Sequence, residues 1–189
     1  MKTEITYSVV FLFPEEIARQ IRAFKMDLKT VINWFPSCHS DPHMTICEFV
    51  IERERLPYYM ARLRTFCEKY PPVYARMDGT GTFPTTYFVK PDDYTMSVLG
   101  RYAEALVRYV FGRKINWNGH ATIGRKLNPV ELAAAKALFD GMPIDFRFLC
   151  DSIYLREFDH SLGQFRVIDS FRLSGMDNFN DTSKQLTLF

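Results

Sequence analysis

Two short stretches carry the residue types that proton transfer needs. Pro42-His43-Met44-Thr45-Ile46 and Gly119-His120-Ala121-Thr122-Ile123 share the order His, any residue, Thr, aliphatic. In an extended strand successive side chains alternate faces, so a His and a Thr two apart project from the same side. Two such strands side by side would present two imidazoles and two hydroxyls to one cleft. Histidine's ordinary pKa lies near neutrality, so a pair can hold one neutral and one protonated ring at pH 7. One ring can then withdraw a proton from a nucleophile while the other protonates a leaving group. Threonine hydroxyls can donate to non-bridging oxygens whose charge must be held during transfer. This is a sufficient kit for in-line displacement at phosphorus without a metal. His43 and His120 are the candidate base and acid, in either order, and Thr45 and Thr122 the candidate phosphate holders.

A metal is a poorer reading of the same region. His39 and His43 lie four apart, a helical ligand spacing, but Pro36 and Pro42 oppose a helix there and no third ligand has suitable spacing. No metal and no cofactor is expected. His160 reads as a solvated hairpin residue, and Trp34, Tyr87, Trp117, Tyr154 and Phe165 as core by default, one or two of them able to stack on a base.

The elements that must position the pair follow from hydrophobic periodicity. Residues 5–13 are rich in β-formers, and Pro14-Glu15-Glu16 starts a helix whose stripe is Ile17, Ile21, Phe24 and Leu28. A proline-rich loop, 34–42, leads to a strand from His43 to Ile51. A helix from Pro57 carries Met60, Leu63 and Phe66 and stops before Pro71-Pro72; a short strand, 73–77, precedes a turn at Asp78-Gly79. The pattern then restarts: a strand over 82–90, a helix start at Pro91-Asp92-Asp93 with the stripe Met96, Leu99, Ala103, Leu106 and Val110, and the second motif strand. Asn128-Pro129 opens a further helix, and 144–156 and 164–173 read as two long strands joined by a hairpin. Pro14 lies 29 residues before His43 and Pro91 lies 29 before His120. Equal offsets indicate an internal repeat. The expected architecture is a single α/β (α+β) domain, residues 1–173, in two pseudo-twofold lobes (about 5–78 and 82–173). Each lobe is an antiparallel-type sheet with outer helices, and the cleft between them carries one motif from each.

Bulk properties narrow the partners. A formal charge of +2 is too small for a general nucleic-acid coat, and Arg53, Arg55, Arg62, Arg64, Arg101 and Arg113 read as scattered solvated charge. Cys38, Cys47, Cys67 and Cys150 lack metal-knuckle spacing and read as reduced thiols. With no leader-like or bilayer-length apolar run, a soluble, cytoplasmic protein with no membrane partner is expected.

The paired His-x-Thr-aliphatic motifs resemble the 2H phosphoesterase superfamily, with the bacterial 2'-5' RNA ligase-like cyclic phosphodiesterases the most similar branch. The resemblance covers about residues 5 to 173. His120-Ala121-Thr122-Ile123-Gly124-Arg125 matches that branch's frequent His-x-Thr-Leu-small-Arg, whereas Cys47-Glu48-Phe49 departs from the commoner small-Phe-Leu-Gly after the first motif. It implies an enzyme that opens 2',3'-cyclic phosphodiester ends of RNA or nucleotides to a 2'-phosphate, with 2'-5' RNA ligation as the reverse reaction. It also implies that Arg125 helps hold the phosphate. Plain alternation puts Arg125 on the face opposite His120, so that role requires a bulge or strand end near Gly124. The alternative function is an RNA-end binding module without turnover, although a pure binder has no need of two matched proton-transfer groups.

Residues 174–184 are polar and expected to be disordered. Gln185-Leu186-Thr187-Leu188-Phe189 resembles the Gln-Leu-x-Leu-Phe peptide by which bacterial proteins engage the replication sliding clamp; an apolar terminal strand docked on its own domain is the preferred reading.

Overall fold

A computed structural model of the chain describes residues 4–176. The sliding-clamp peptide, Gln185 to Phe189, lies outside the described residues.

Among the described residues eight strands form one antiparallel sheet: β1 (Glu4–Leu12), β2 (His43–Glu52), β3 (Val73–Phe83), β4 (Thr86–Pro91), β5 (Ala121–Arg125), β6 (Asp145–Cys150), β7 (Ser152–Asp159) and β8 (Gln164–Arg172). Their order is β6-β3-β4-β5-β2-β1-β7-β8. The order is palindromic about the β5–β2 seam: β5 matches β2, β4 matches β1, and the helices between these strands match each other. Those helices are α1 (Glu15–Ile32) and α3 (Asp93–Phe111); α2 (Leu56–Cys67) and α4 (Pro129–Phe139) are the other two α-helices among the described residues. At the seam only Met44 and Ala121 pair, so the two four-stranded halves splay apart on either side. The expected two-lobed α/β fold with a central cleft is present.

Local chemistry explains the helix starts. Glu15 and Glu16 sit in the first turn of α1, where carboxylates meet the positive end of the dipole. Asp92 caps α3 by accepting from Thr95 N at 2.8 Å. Asn128 and Glu131 form a reciprocal capping box on α4. The helices cover the sheet face that carries Met44, Tyr87, Val89 and Ala121, all fully buried. Phe139 of α4 meets Tyr87 at 5.7 Å, and Phe111 of α3 meets Phe49 at 4.7 Å. The opposite face remains for the site.

Three expectations need correction. Asp78-Gly79 is not a turn: β3 runs through it with a register shift between Met77 and Thr80, and Gly79 takes φ +77° to allow this. The strand expected over 82–90 is divided by the β3–β4 hairpin turn after Phe83. Residues 144–156 are two strands, broken at Asp151, because β6 pairs with β3 while β7 crosses to pair with β1. Residues 152–172 thus follow the second motif in sequence but join the half that holds the first.

The start of the expected tail is anchored rather than free. Ser174 N donates to Cys67 O and Gly175 N to Tyr70 O, both at 3.0 Å. All four cysteines are free and buried. Of the aromatics expected in the core, Tyr87 and Trp117 are buried, while Trp34 is 65% exposed.

Candidate active site

The seam decides where the motif side chains go. Met44 and Ala121 face the helices, so their neighbours His43, Thr45, His120 and Thr122 face the other side. In an antiparallel pair centred on Met44 and Ala121, His43 stands across from Thr122 and Thr45 across from His120. Each histidine is thereby set beside the other motif's threonine. All four line one cavity of about 800 Å³, together with Arg125.

Both motif strands carry a bulge at the same place. Val9 pairs with Cys47 and Val10 with Thr45, leaving Ile46 as the extra residue in β2. Tyr87 pairs with Gly124 and Phe88 with Thr122, leaving Ile123 extra in β5. An extra residue shifts the alternation by one. Arg125 therefore shares the cavity face with Thr122, which is the bulge that the arginine's expected position required. The same shift in β2 brings Glu48, five residues after His43 as Arg125 is after His120, to the cavity. The departure after the first motif thus puts an acid at the position that Arg125 occupies after the second, and both line the cavity.

A bulge leaves backbone groups without ladder partners, and each here is met from the other half. Trp117 Nε1, in the segment leading to His120, donates to Thr45 O of β2 at 2.8 Å. Ser37, in the loop leading to His43, accepts from Arg125 N at 3.1 Å and donates to Ile123 O at 3.3 Å. These crossed stitches tie each motif to the approach segment of its twin. Gly119 lets the indole lie against the chain: a Cβ there would fall 2.0 Å from the Trp117 ring. The sequence places Trp117 in the core but not as a stitch, and Ser37 only in a loop, since a hydrogen bond to a distant strand leaves no periodic signal.

Lys25 anchors the first approach loop from below. It is 1% exposed on α1, and its Nζ donates to Ser40 O at 2.6 Å, Ser40 Oγ at 2.9 Å and Ser37 O at 3.2 Å. Burial lowers its pKa to about 8, opposed in part by Asp41. Its position on the buried stripe beside Leu28 was invisible to a hydrophobic pattern.

The imidazoles are held in matching tautomers. His43 Nδ1 meets Asp41 O at 2.6 Å, and His120 Nδ1 meets Asn118 O at 2.8 Å. A carbonyl only accepts, so each Nδ1 carries the hydrogen and each Nε2 is left for the cavity. His120 also rests against the rings of Phe83 and Phe88, at 5.1 and 5.0 Å. Burial, and next the Arg156 guanidinium, push the His43 pKa down to about 3, with the bond to Asp41 opposing. His43 is therefore neutral at physiological pH. Around the pair the cavity is closed by Glu15, Arg22 and Asp41 on one side and by Phe158 and Phe165 of the β7–β8 hairpin on the other. Arg22 is held by both Glu15 and Asp41.

His39, the other half of the weighed metal pair, has its Nε2 3.1 Å from Lys29 Nζ and accepts from it. Among the described residues no group of three or more His, Cys, Asp and Glu is placed to hold a metal ion. None of Arg53, Arg55, Arg62, Arg64, Arg101 and Arg113 lines the cavity. Among the described residues no helix is long and apolar enough to cross a membrane.

A two-lobed antiparallel sheet with a twinned His-x-Thr cleft defines a class of phosphoesterase, and sequence comparison agrees. Residues 13–161 match the family model described as the 2'-5' RNA ligase superfamily. The chain belongs to that superfamily, whose members are 2H phosphoesterases. No curated protein matches the sequence. Among solved structures, TT0787 of Thermus thermophilus is similar at TM-score 0.65 and 21% identity, covering 90% of this chain and 98% of its own. E. coli LigT complexed with 3'-AMP is similar at 0.64 and 12%, covering 91% and 99%. Usb1 of Kluyveromyces marxianus is similar at 0.51 and 14%, covering 89% and 98%.

Proposed function

We propose that this protein hydrolyses 2',3'-cyclic phosphodiester ends of RNA or of nucleotides by two-histidine acid–base chemistry, leaving a 2'-phosphate. The observation that carries the reading is the pair of Nε2 atoms directed into one cavity, each with its Nδ1–H held by the carbonyl two residues earlier. His43, kept neutral by burial and by Arg156, is the general base. It takes a proton from water as the water oxygen bonds to phosphorus. The P–O3' bond breaks on the opposite side, and His120 Nε2 supplies the proton to the departing ribose oxygen. Thr45 and Thr122 donate to the non-bridging oxygens, and Arg125 offsets their charge. Run in reverse, the same groups would join a 2'-hydroxyl to a cyclic phosphate, so slow 2'-5' ligation accompanies hydrolysis. The capture of 3'-AMP and ATP by LigT supports a nucleotide-type ligand for a cavity of this shape.

The test is turnover of a 2',3'-cyclic nucleotide and of a short RNA ending in one, with EDTA present. His43→Ala and His120→Ala should each lose about 10²- to 10⁴-fold in kcat while still binding substrate. Unaltered turnover in either variant would refute the assignment. Tight binding of the RNA end with no turnover by the wild type would favour the binding-module reading.

A further inference from the structure

Arg156 is a buried cation that forms no ion pair with a carboxylate among the described residues. It stands on β7, 5% exposed, inside a row across the cleft face in which Glu48 pairs with Ser8, Ser8 with Arg156 and Arg156 with Val167. Its Nη2 donates to Ser8 Oγ at 3.0 Å, and its Cζ lies 5.0 Å from the Phe165 ring centre. Its Nε has no partner among the described residues. Arg22 in the same cavity is held by Glu15 and Asp41, and Arg166 by Asp159 at 3.0 Å. Arg156 has no ion pair of this kind among the described residues; the acids that act on it from a distance are Glu48 and then Asp41. A guanidinium taken out of water without a counter-ion is costly. Burial accordingly lowers its pKa, to about 10. Such a charge is well placed to be neutralised by a ligand, and Arg156 lines the cavity with both histidines.

We propose that Arg156 is a phosphate-binding residue: it meets the phosphoryl group from the first-motif half while Arg125 meets it from the second. This deepens the cyclic phosphodiesterase reading and rests on it for the identity of the anion. Hydrogen bonds between charged partners are roughly twice as strong as neutral ones, so losing Arg156 should weaken phosphate binding about tenfold or more. Arg156 also acts on His43. The groups that face this imidazole are Arg156 from β7, Lys25 from α1, His120 from the second motif and the Asp41 carbonyl. Removing the arginine takes away one of the causes that lower the His43 pKa, so the titration should move upward.

The experiment compares wild type, Arg156→Gln and Arg156→Lys. Calorimetry measures inorganic phosphate binding at pH 7, and NMR follows the His43 ring through a pH titration. We expect the Gln variant to bind phosphate at least about tenfold more weakly, with the His43 midpoint raised, and the Lys variant to recover part of both. Wild type that binds no phosphate, or equal affinity in wild type and Gln variant, overturns the proposal. If Arg156→Gln fails to fold, the Lys variant decides: affinity and His43 midpoint both identical to wild type overturn it, since an ammonium cannot reproduce the guanidinium fork. Neither readout needs turnover. Weaker phosphate binding in the variant beside a wild type inert on cyclic phosphates would refute the reaction and keep the anion site; active wild type with unchanged affinity would do the reverse.

Discussion

Replacing Ser37 with alanine removes one oxygen and empties two backbone hydrogen bonds in the other half of the molecule. Ser37 Oγ is the partner of Arg125 N at 3.1 Å and of Ile123 O at 3.3 Å, and the residue is 2% exposed. A buried backbone group left without a partner costs about 1–3 kcal/mol. Two such groups, one of them long and weak in the wild type, put the loss near 2–4 kcal/mol. The displaced segment carries Arg125, so the kinetic cost should fall on phosphate binding: KM rises, and kcat/KM falls about tenfold. Ser40→Ala is the matched comparison. It deletes a hydroxyl bonded to Lys25 Nζ and to Ser37 O, each at 2.9 Å, without touching β5. It should cost about 1 kcal/mol and leave KM alone. Urea unfolding with steady-state kinetics on a 2',3'-cyclic nucleotide measures both. A Ser37→Ala protein within about 0.5 kcal/mol of wild type and with unchanged KM would refute the crossed-stitch account of how the motifs are held.

Gly119→Ala places a methyl 2.0 Å from the Trp117 ring, so the indole must leave Thr45 O; kcat should drop while the fold survives, and tryptophan fluorescence should report the displaced ring. For pH, a histidine with its pKa lowered to about 3 stays neutral in the folded state while its unfolded counterpart takes a proton near pH 6.5. Its contribution to stability is therefore full above pH 6.5 and is lost as pH falls toward 3, with a slope of about 1.4 kcal/mol per pH unit between them. Acid unfolding of His43→Gln should lack that component, and NMR should find the wild-type ring neutral with Nδ1 protonated at pH 5. A titration midpoint near 6.5 would contradict the burial argument.

Much of this molecule was legible one residue at a time. Strand periodicity and the twin spacing of 29 residues disclosed two equivalent units, and with them the four side chains His43, Thr45, His120 and Thr122 on one face. These are consequences of backbone geometry that repeats locally, so a linear pattern records them. The helix starts at Pro91-Asp92-Asp93 and Asn128-Pro129 were readable for the same reason. What lay beyond the pattern depended on partners distant in the chain. Residues 152–172 return to β1 because strand pairing is settled by which edge is free, and no local periodicity states that. The bulges at Ile46 and Ile123 turn Glu48 and Arg125 to the cavity; both are read from a neighbouring strand's register, since an extra residue exists only relative to a partner. Lys25 and Arg156 are charges inside the protein, and composition assigns charges to the surface. The chain by itself determined the chemistry available to the site. Tertiary structure decided that His43 is held neutral, because desolvation and a cation from β7 act through space and not along the sequence.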